Sequence, residues 1–205
     1  LQLQLVVYMD AAMEMLRGQH PKKEILPGGI LYYHIDDPVL ESDTPLSDEE
    51  AEQALLFALR PDGLVNSGEE IYRAMDQNFE GKSQMIPVEI KKNGEISTAR
   101  SKVASTEEFA VITRYVEHEI RQCGEAIYAG NIAVNPYRSD IETSCTYCPY
   151  ASVCGMDAKI PGYEYRQFAS MKKEEVLDQM QTELARNRGK EERSDEMDEG
   201  TAERH

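Results

Sequence analysis

Three cysteines within ten residues constrain this chain more than any other feature of its sequence. Cys145, Cys148 and Cys154 stand in the run Cys-Thr-Tyr-Cys-Pro-Tyr-Ala-Ser-Val-Cys, a C-x2-C-x5-C spacing. Two thiolates separated by two residues reach one metal centre from a single turn, and a third returns to it after a short loop. Structural zinc sites and iron–sulfur clusters use such an arrangement. Pro149 follows Cys148 directly and stiffens the loop. A disulfide would leave one of the three thiols over, and three buried thiols do not suit so polar a segment. Metal binding is therefore expected at Cys145, Cys148 and Cys154. Zinc and iron–sulfur sites both call for a fourth ligand. Cys123 is the remaining cysteine, but it lies on the apolar stripe of a predicted helix and is expected in the core. His118 sits off that stripe between Glu117 and Glu119 and is expected at the surface. The fourth ligand is then expected outside these residues, in keeping with a chain that starts at Leu1 and not at Met.

Composition sets the broad class. The 38 acidic against 22 basic residues give a formal charge of -16 and a pI near 4.7, with 40% hydrophobic residues and a mean hydropathy of -0.57. A soluble, acidic, globular chain follows. No apolar run approaches the ~20 residues that a membrane helix needs. Asp10 and Glu14 break the first apolar stretch, which has no basic residues before it, so a signal peptide is excluded. On bulk charge alone the chain is a poor nucleic-acid binder, because phosphate attraction needs basic surface. Residues 171–205 hold 7 basic and 11 acidic residues, so most of the negative charge lies in the body and not in the tail.

The periodicities predict mixed α and β structure. Leu5, Met9, Ala12, Met13 and Leu16 recur at helical spacing over 1–18, with Gly18 as the stop. Pro27-Gly28-Gly29 and the run Ile30 to Ile35 predict a buried strand. Ser47 with Glu50 is a capping box, and a helix is expected over 48–59, stopping near Pro61-Asp62-Gly63. Ile86, Val88 and Ile90 alternate with polar or Pro residues before Asn93-Gly94, which predicts a hairpin over 85–99 with a type I′ turn. Ser105 and Glu108 form a second capping box. The helix after it carries Phe109, Ile112, Val116, Ile120, Cys123 and Ile127 as one stripe and ends at Gly130 or Asn131. The expected organisation is a helix over 1–18, a strand and hairpin insert over 19–105, a long helix and cysteine loop over 106–170 and a helix over 171–185. Residues 186–205 are charged, lack apolar anchors, and are expected to be disordered.

Several segments together match one family. Ile132-Ala133-Val134-Asn135-Pro136-Tyr137-Arg138, the cysteine run, and Pro161-Gly162-Tyr163-Glu164-Tyr165-Arg166 closely resemble the C-terminal part of the B subunits of AddAB-type bacterial helicase–nucleases. Gln4-Leu-Val-Val-Tyr8 resembles the Q-x-x-x-Y motif of RecB-type nucleases. The resemblance covers residues 1 to about 180. It implies an α+β or α/β fold, the C-terminal portion of a PD-(D/E)xK nuclease domain. It also implies an ATP-dependent exodeoxyribonuclease that processes double-stranded DNA ends for recombinational repair, in the bacterial cytoplasm, with an AddA-like helicase–nuclease partner. Cys145, Cys148 and Cys154 would be three ligands of a [4Fe-4S] cluster, the fourth lying upstream of residue 1. Gln4 and Tyr8 would be accessory active-site residues, orienting a phosphate or a metal-bound water. The Mg2+-binding carboxylates and the catalytic Lys are expected upstream as well, so the fragment alone is expected to be inactive.

Asp36, Asp37 and the pair Glu89-x-Lys91 are a competing set of magnesium-site residues, since carboxylates beside a Lys are the hardware of a metal nuclease. Glu89 and Lys91 lie in a predicted hairpin, where alternating charges form an ordinary solvated face. They also follow the Q-x-x-x-Y helix, whereas in RecB-type nucleases the E/D-x-K strand precedes it. They are expected not to be catalytic. Two other readings compete with the helicase–nuclease one. A Cas4-like exonuclease shares the cysteine triplet but not the long insert at 19–105. A non-catalytic zinc-stabilised interaction module needs only the cysteines.

Overall fold

The computed structural model of the protein describes residues 3–202 other than 36, 78 and 141, with side chains as far as residue 188. The chain forms two compact units, Leu1–Glu117 and His118–His205. Helices and two small sheets make up the described residues, which agrees with the mixed class expected. No helix among them is long and apolar enough to cross a membrane.

The first unit contains α1 (Leu3–Gln19), β1 (Gly29–Tyr32), α2 (Asp48–Ala58), β2 (Asp62–Asn66), α3 (Glu69–Met75), β3 (Val103–Ala104) and the start of α4 (Thr106–Tyr128). The strands pair in the order β1-β2-β3, β1 antiparallel to β2 and β2 parallel to β3. Neither β2 nor α3 was expected. Pro61-Asp62-Gly63 reads as a turn, yet Gly63 lies inside β2 opposite Leu31. Its φ is +147°, and a Cβ there would come within 2.1 Å of the Ile30 carbonyl oxygen. Glycine serves close strand approach here, and not a turn.

Behind this sheet Val65, Tyr72, Phe79, Ile86, Val88, Ile90 and Val103 form a buried core, with Leu31 and Ile96 packed against it. The alternation of Ile86, Val88 and Ile90 therefore does point one set inward. Each fully buried side chain of this size contributes roughly 1.5–3 kcal/mol. The segment makes only isolated bridges, Lys82 to Glu89 and Ile90 to Ile96, instead of a long hairpin. Its turn also differs from the type I′ expected. Gly94 N–H donates to the Lys91 carbonyl at 2.9 Å, and Gly94 alone in the turn has positive φ, +85°. A type I′ turn needs two such residues, so this is a type I-like turn closed by a left-handed glycine.

Both capping boxes form. Ser47 N–H donates to Glu50 at 2.9 Å, and Glu50 N–H to Ser47 Oγ at 3.3 Å. At the start of α4, Ser105 N–H donates to Glu108 at 2.8 Å, and Glu108 N–H to Ser105 Oγ at 3.2 Å. Phe109, Val111, Ile112 and Val116 are buried along α4. The helix ends in a Schellman motif: Asn131 N–H reaches the Ala126 carbonyl, Gly130 N–H reaches that of Ile127, and Gly130 has φ +69°.

The second unit holds the rest of α4, β4 (Tyr137–Arg138), α5 (Ala151–Cys154), β5 (Arg166–Gln167) and α6 (Lys173–Ala202). β4 and β5 pair in parallel. Among the described side chains of α6, Leu177 and Met180 are buried. That helix runs past the expected end near 185 and through most of the segment expected to be disordered. Its Glu, Lys, Arg and Met residues favour helix intrinsically, a preference that the lack of apolar anchors does not measure. Residues 203–205 lie outside those described.

Candidate functional site

Two places gather the residues singled out from the sequence, and each lies within one unit. On α1 the four-residue spacing puts Gln4 and Tyr8 on one face. Gln4 Nε2 donates to Tyr8 Oη at 2.7 Å. Tyr8 is 59% exposed although it lies beside apolar neighbours. An open groove of about 400 Å³ runs alongside, lined by Leu5, Tyr8, Met9, Met13, Ile30 and Leu31 among others. The phenol thus stands at the rim of an apolar trough. Its oxygen accepts from Gln4, which leaves its own proton directed elsewhere as a donor.

Among the described residues the competing magnesium set is not assembled. Glu89 is held by Arg100 at 2.9 Å, and its backbone N–H donates to Ser101 Oγ at 2.8 Å. Lys91 is exposed beside the turn and Asp37 is exposed, while Asp36 lies outside the described residues. Glu89 is thus taken up by Arg100 and largely covered, with its side chain 18% exposed, while Lys91 alone stands on the solvated face expected of both.

The second place is the cysteine loop. Cys148 N–H donates to the Cys145 carbonyl at 3.3 Å, which closes one turn, and Cys154 N–H caps back to the Tyr150 carbonyl at 2.8 Å. Gly155, with φ +66°, ends α5 directly after Cys154. Thr143 Oγ1 accepts from Cys145 N–H at 3.2 Å, and Ser144 Oγ accepts from Tyr137 N–H at 3.0 Å, tying the loop to β4. All three cysteines are free and half-buried. Among the described residues, however, no group of three or more His, Cys, Asp or Glu is gathered to hold a metal ion. The loop fits a metal centre in donor type and in its first turn, and not as a preformed ligand set.

In the sequence Tyr165 figures only as part of the 161–166 segment, with no role of its own. Its hydroxyl hydrogen-bonds Cys145, which raises the phenol above its usual range; desolvation adds to this and the Arg138 guanidinium opposes it. Arg138 lies over the Tyr165 ring at 4.5 Å, and Tyr137 meets Phe168 edge-on at 5.6 Å. The parallel pairing of Tyr137 with Arg166 and Arg138 with Gln167 brings these side chains to the loop. No spacing rule announces a contact made through a two-residue strand.

Cys123 departs from expectation. It is exposed, not in the core. The apolar stripe of α4 is buried only as far as Val116; Ile120 is 49% and Ile127 78% exposed. Periodicity marks a face but does not say how far the face is covered. His118 is half-buried, and its Nε2 lies 2.8 Å from Asn187 Nδ2, a contact that ties α6 to α4.

Known proteins resemble this chain over most of its length. The model of the PD-(D/E)XK nuclease superfamily matches residues 1–155, which takes in Gln4, Tyr8 and all three loop cysteines. Relatives named as the B subunit of an ATP-dependent helicase/deoxyribonuclease, from Thermoanaerobacter sp. (strain X514) and Clostridium botulinum (strain Hall), are 38% identical over 184 residues, 90% of this chain. The protein of that name from Lachnoclostridium phytofermentans is 40% identical over 185 residues, 86% of this chain. The chain spans 16% of the length of each of these relatives. With the family model covering all but the last fifty residues, the chain belongs to the PD-(D/E)XK nuclease superfamily.

Proposed function

We propose that this chain is the nuclease portion of the B subunit of an ATP-dependent helicase/deoxyribonuclease, which hydrolyses phosphodiester bonds at double-stranded DNA ends, in recombinational repair in the cytoplasm. The observation that carries this reading is the superfamily match over residues 1–155, which takes in Gln4, Tyr8 and Cys154. The name shared by its relatives supports it, and implies a helicase–nuclease partner subunit.

Gln4 and Tyr8 act as positioning groups. The Gln4 amide fixes the Tyr8 oxygen as an acceptor at 2.7 Å, so the phenolic proton is free to meet a phosphate oxygen or a reacting water. Magnesium, when bound, supplies the charge that activates water and steadies the phosphate. Among the described residues neither Asp37 nor Glu89-x-Lys91 offers an assembled set, and we assign the carboxylate ligands of magnesium and the catalytic Lys to residues outside this chain.

Cys145, Cys148 and Cys154 are three ligands of a [4Fe-4S] cluster whose fourth ligand also lies outside these residues. The support is the donor set: three free thiols on one loop, two of them on one turn. Closing a long loop through such a centre removes freedom from the unfolded chain, by a few kcal/mol on the order of what a disulfide gives. A bound centre would draw Cys145, Cys148 and Cys154 together and complete the loop, as is common where binding and ordering are coupled.

Iron, sulfide and zinc analysis of anaerobically purified full-length subunit tests the reading. Iron with equivalent sulfide and absorbance near ~400 nm supports it, together with magnesium-dependent cleavage of linear duplex. One zinc and no cleavage would leave a zinc-stabilised interaction module.

A further inference from the structure

Residues 79–102 depart from the charge of the chain around them. They hold five basic residues, Lys82, Lys91, Lys92, Arg100 and Lys102, against Glu80, Glu89 and Glu95, in a protein of net charge -16. Arg100 pairs with Glu89 and Lys102 with Asp62, and Lys82 lies over the Phe57 ring at 3.8 Å. Lys91 and Lys92 are exposed and make no ion pair among the described residues. They form one wall of a cleft of about 590 Å³ with Arg73, Glu80 and Gly81.

The cleft has the parts that a phosphate backbone needs. Its charged lining is three cations against one carboxylate. A second charged cleft of this unit carries Asp10, Glu24 and Glu117 against Arg17 and Arg114. Gly81 and Gly94 sit at its edge with φ +71° and +85°, and nothing stands within 4 Å of where a Cβ would be. The main chain is thus open to close approach by a bulky anion. The walls are also fixed in place. Arg73 donates to the Phe79 carbonyl at 3.0 Å and lies over the Phe79 and Tyr72 rings, while Ile90 N–H donates to the Gly81 carbonyl at 2.6 Å. Lys91 and Lys92 therefore project from a braced turn. A point charge on a flexible stem contacts phosphate without reading sequence.

We propose that the cleft between Arg73, Gly81 and the Lys91–Gly94 turn binds the phosphodiester backbone of DNA. This rests on the nuclease reading above and adds to it a contact that uses none of Gln4, Tyr8 or the loop cysteines. The site positions a strand and does not cut it.

The test compares the full-length wild-type subunit with a Lys91→Gln/Lys92→Gln variant and a control, Lys22→Gln/Lys23→Gln, which removes the same charge from another exposed lysine pair. Binding to a fluorescent linear duplex is followed by anisotropy from low to moderate salt. The hairpin variant is expected to bind about tenfold more weakly, with the salt slope reduced by roughly 2, about one for each phosphate no longer neutralised. The control should match wild type, and Lys91→Arg/Lys92→Arg should restore binding. Equal weakening in both Gln variants, or none in the hairpin variant, overturns the proposal. So does an equal loss of affinity for a polyglutamate peptide with duplex binding intact, which would make the cleft a site for an acidic protein. If wild type binds duplex but cuts none in magnesium, the nuclease reading fails while the cleft is still judged by the same comparison.

Discussion

Gln4 Nε2 lies 2.7 Å from Tyr8 Oη, so the two polar residues of the first helix face form a single hydrogen-bonded unit. The bond is exposed, and exposed side-chain pairs of this kind contribute little to stability. Conversion of Tyr8→Phe is therefore expected to change the unfolding free energy by less than about 0.5 kcal/mol. If the phenol positions a phosphate or water, the same change lowers kcat for duplex cleavage by about tenfold or more, with a smaller effect on KM. Gln4→Ala should act in the same direction but less strongly, since it frees the phenol without removing it. A Tyr8→Phe subunit that cuts at the wild-type rate would leave the pair a helix-surface contact only.

The cysteines give a second, spectroscopic expectation. Single changes of Cys145, Cys148 or Cys154 to Ser should abolish absorbance near ~400 nm and the binding of DNA ends by the full complex, with distant parts still folded. Cys123→Ser should keep both, because that thiol is exposed on α4 and away from the loop's turn bonds. Wild-type end binding by protein stripped of iron would sink the cluster's role.

How much of this was legible beforehand differs between local and long-range features. Ser47 with Glu50 and Ser105 with Glu108 were readable because each box closes within three residues. The inward set Ile86, Val88 and Ile90 was readable from alternation alone. β2 was hidden because Gly63 carries a turn signal but answers to the Ile30 carbonyl across the sheet. Cys123 was misplaced because burial along α4 stops at Val116, a fact about packing partners and not about the helix. Of the two site features, Gln4 and Tyr8 meet through an i, i+4 relation that a sequence displays. Tyr165 meets Cys145 across twenty residues and a strand pair, which it does not display.

Asn66 is a buried polar residue in the first unit, with 1% exposure. Its Nδ2 donates to the Pro27 carbonyl at 2.8 Å and to Thr106 Oγ1 at 3.0 Å, and its Oδ1 accepts from Gly68 N–H at 2.9 Å. One side chain therefore joins the loop before β1, the end of β2, the start of α3 and the start of α4. Asn66→Asp replaces the donor with an acceptor and buries a charge against a carbonyl. A loss of about 2–4 kcal/mol is expected at pH 7. Protonation restores a donor, so the substituted carboxyl has a raised folded pKa. The loss should shrink in urea melts as pH falls below that value. A loss independent of pH would mean that shape, and not the donor, matters at this position.

Asp62 gives the opposite dependence in the wild-type chain. The hydrogen bond from Lys102 lowers its pKa most; the Gly63 N–H, the Lys102 charge and His34 act in the same direction, and desolvation opposes them. Lys102 Nζ lies 2.6 Å and 2.7 Å from the two carboxylate oxygens. Because the folded pKa is lowered, the unfolded chain takes up the proton first as pH falls. The stabilisation is thus full above the unfolded carboxylate value of ~3.9 and is lost as pH drops through the folded value. Both side chains are more than half exposed, so screening keeps the contribution below about 1 kcal/mol. Lys102→Met should therefore destabilise slightly at pH 7, and less at a pH below the folded Asp62 value, where the pair is discharged. NMR titration should show the Asp62 carboxyl moving back toward its ordinary value in the variant. An unchanged Asp62 titration, or an equal destabilisation at both pH values, would show that Lys102 acts through its aliphatic stem packed beside β2 and not through its charge.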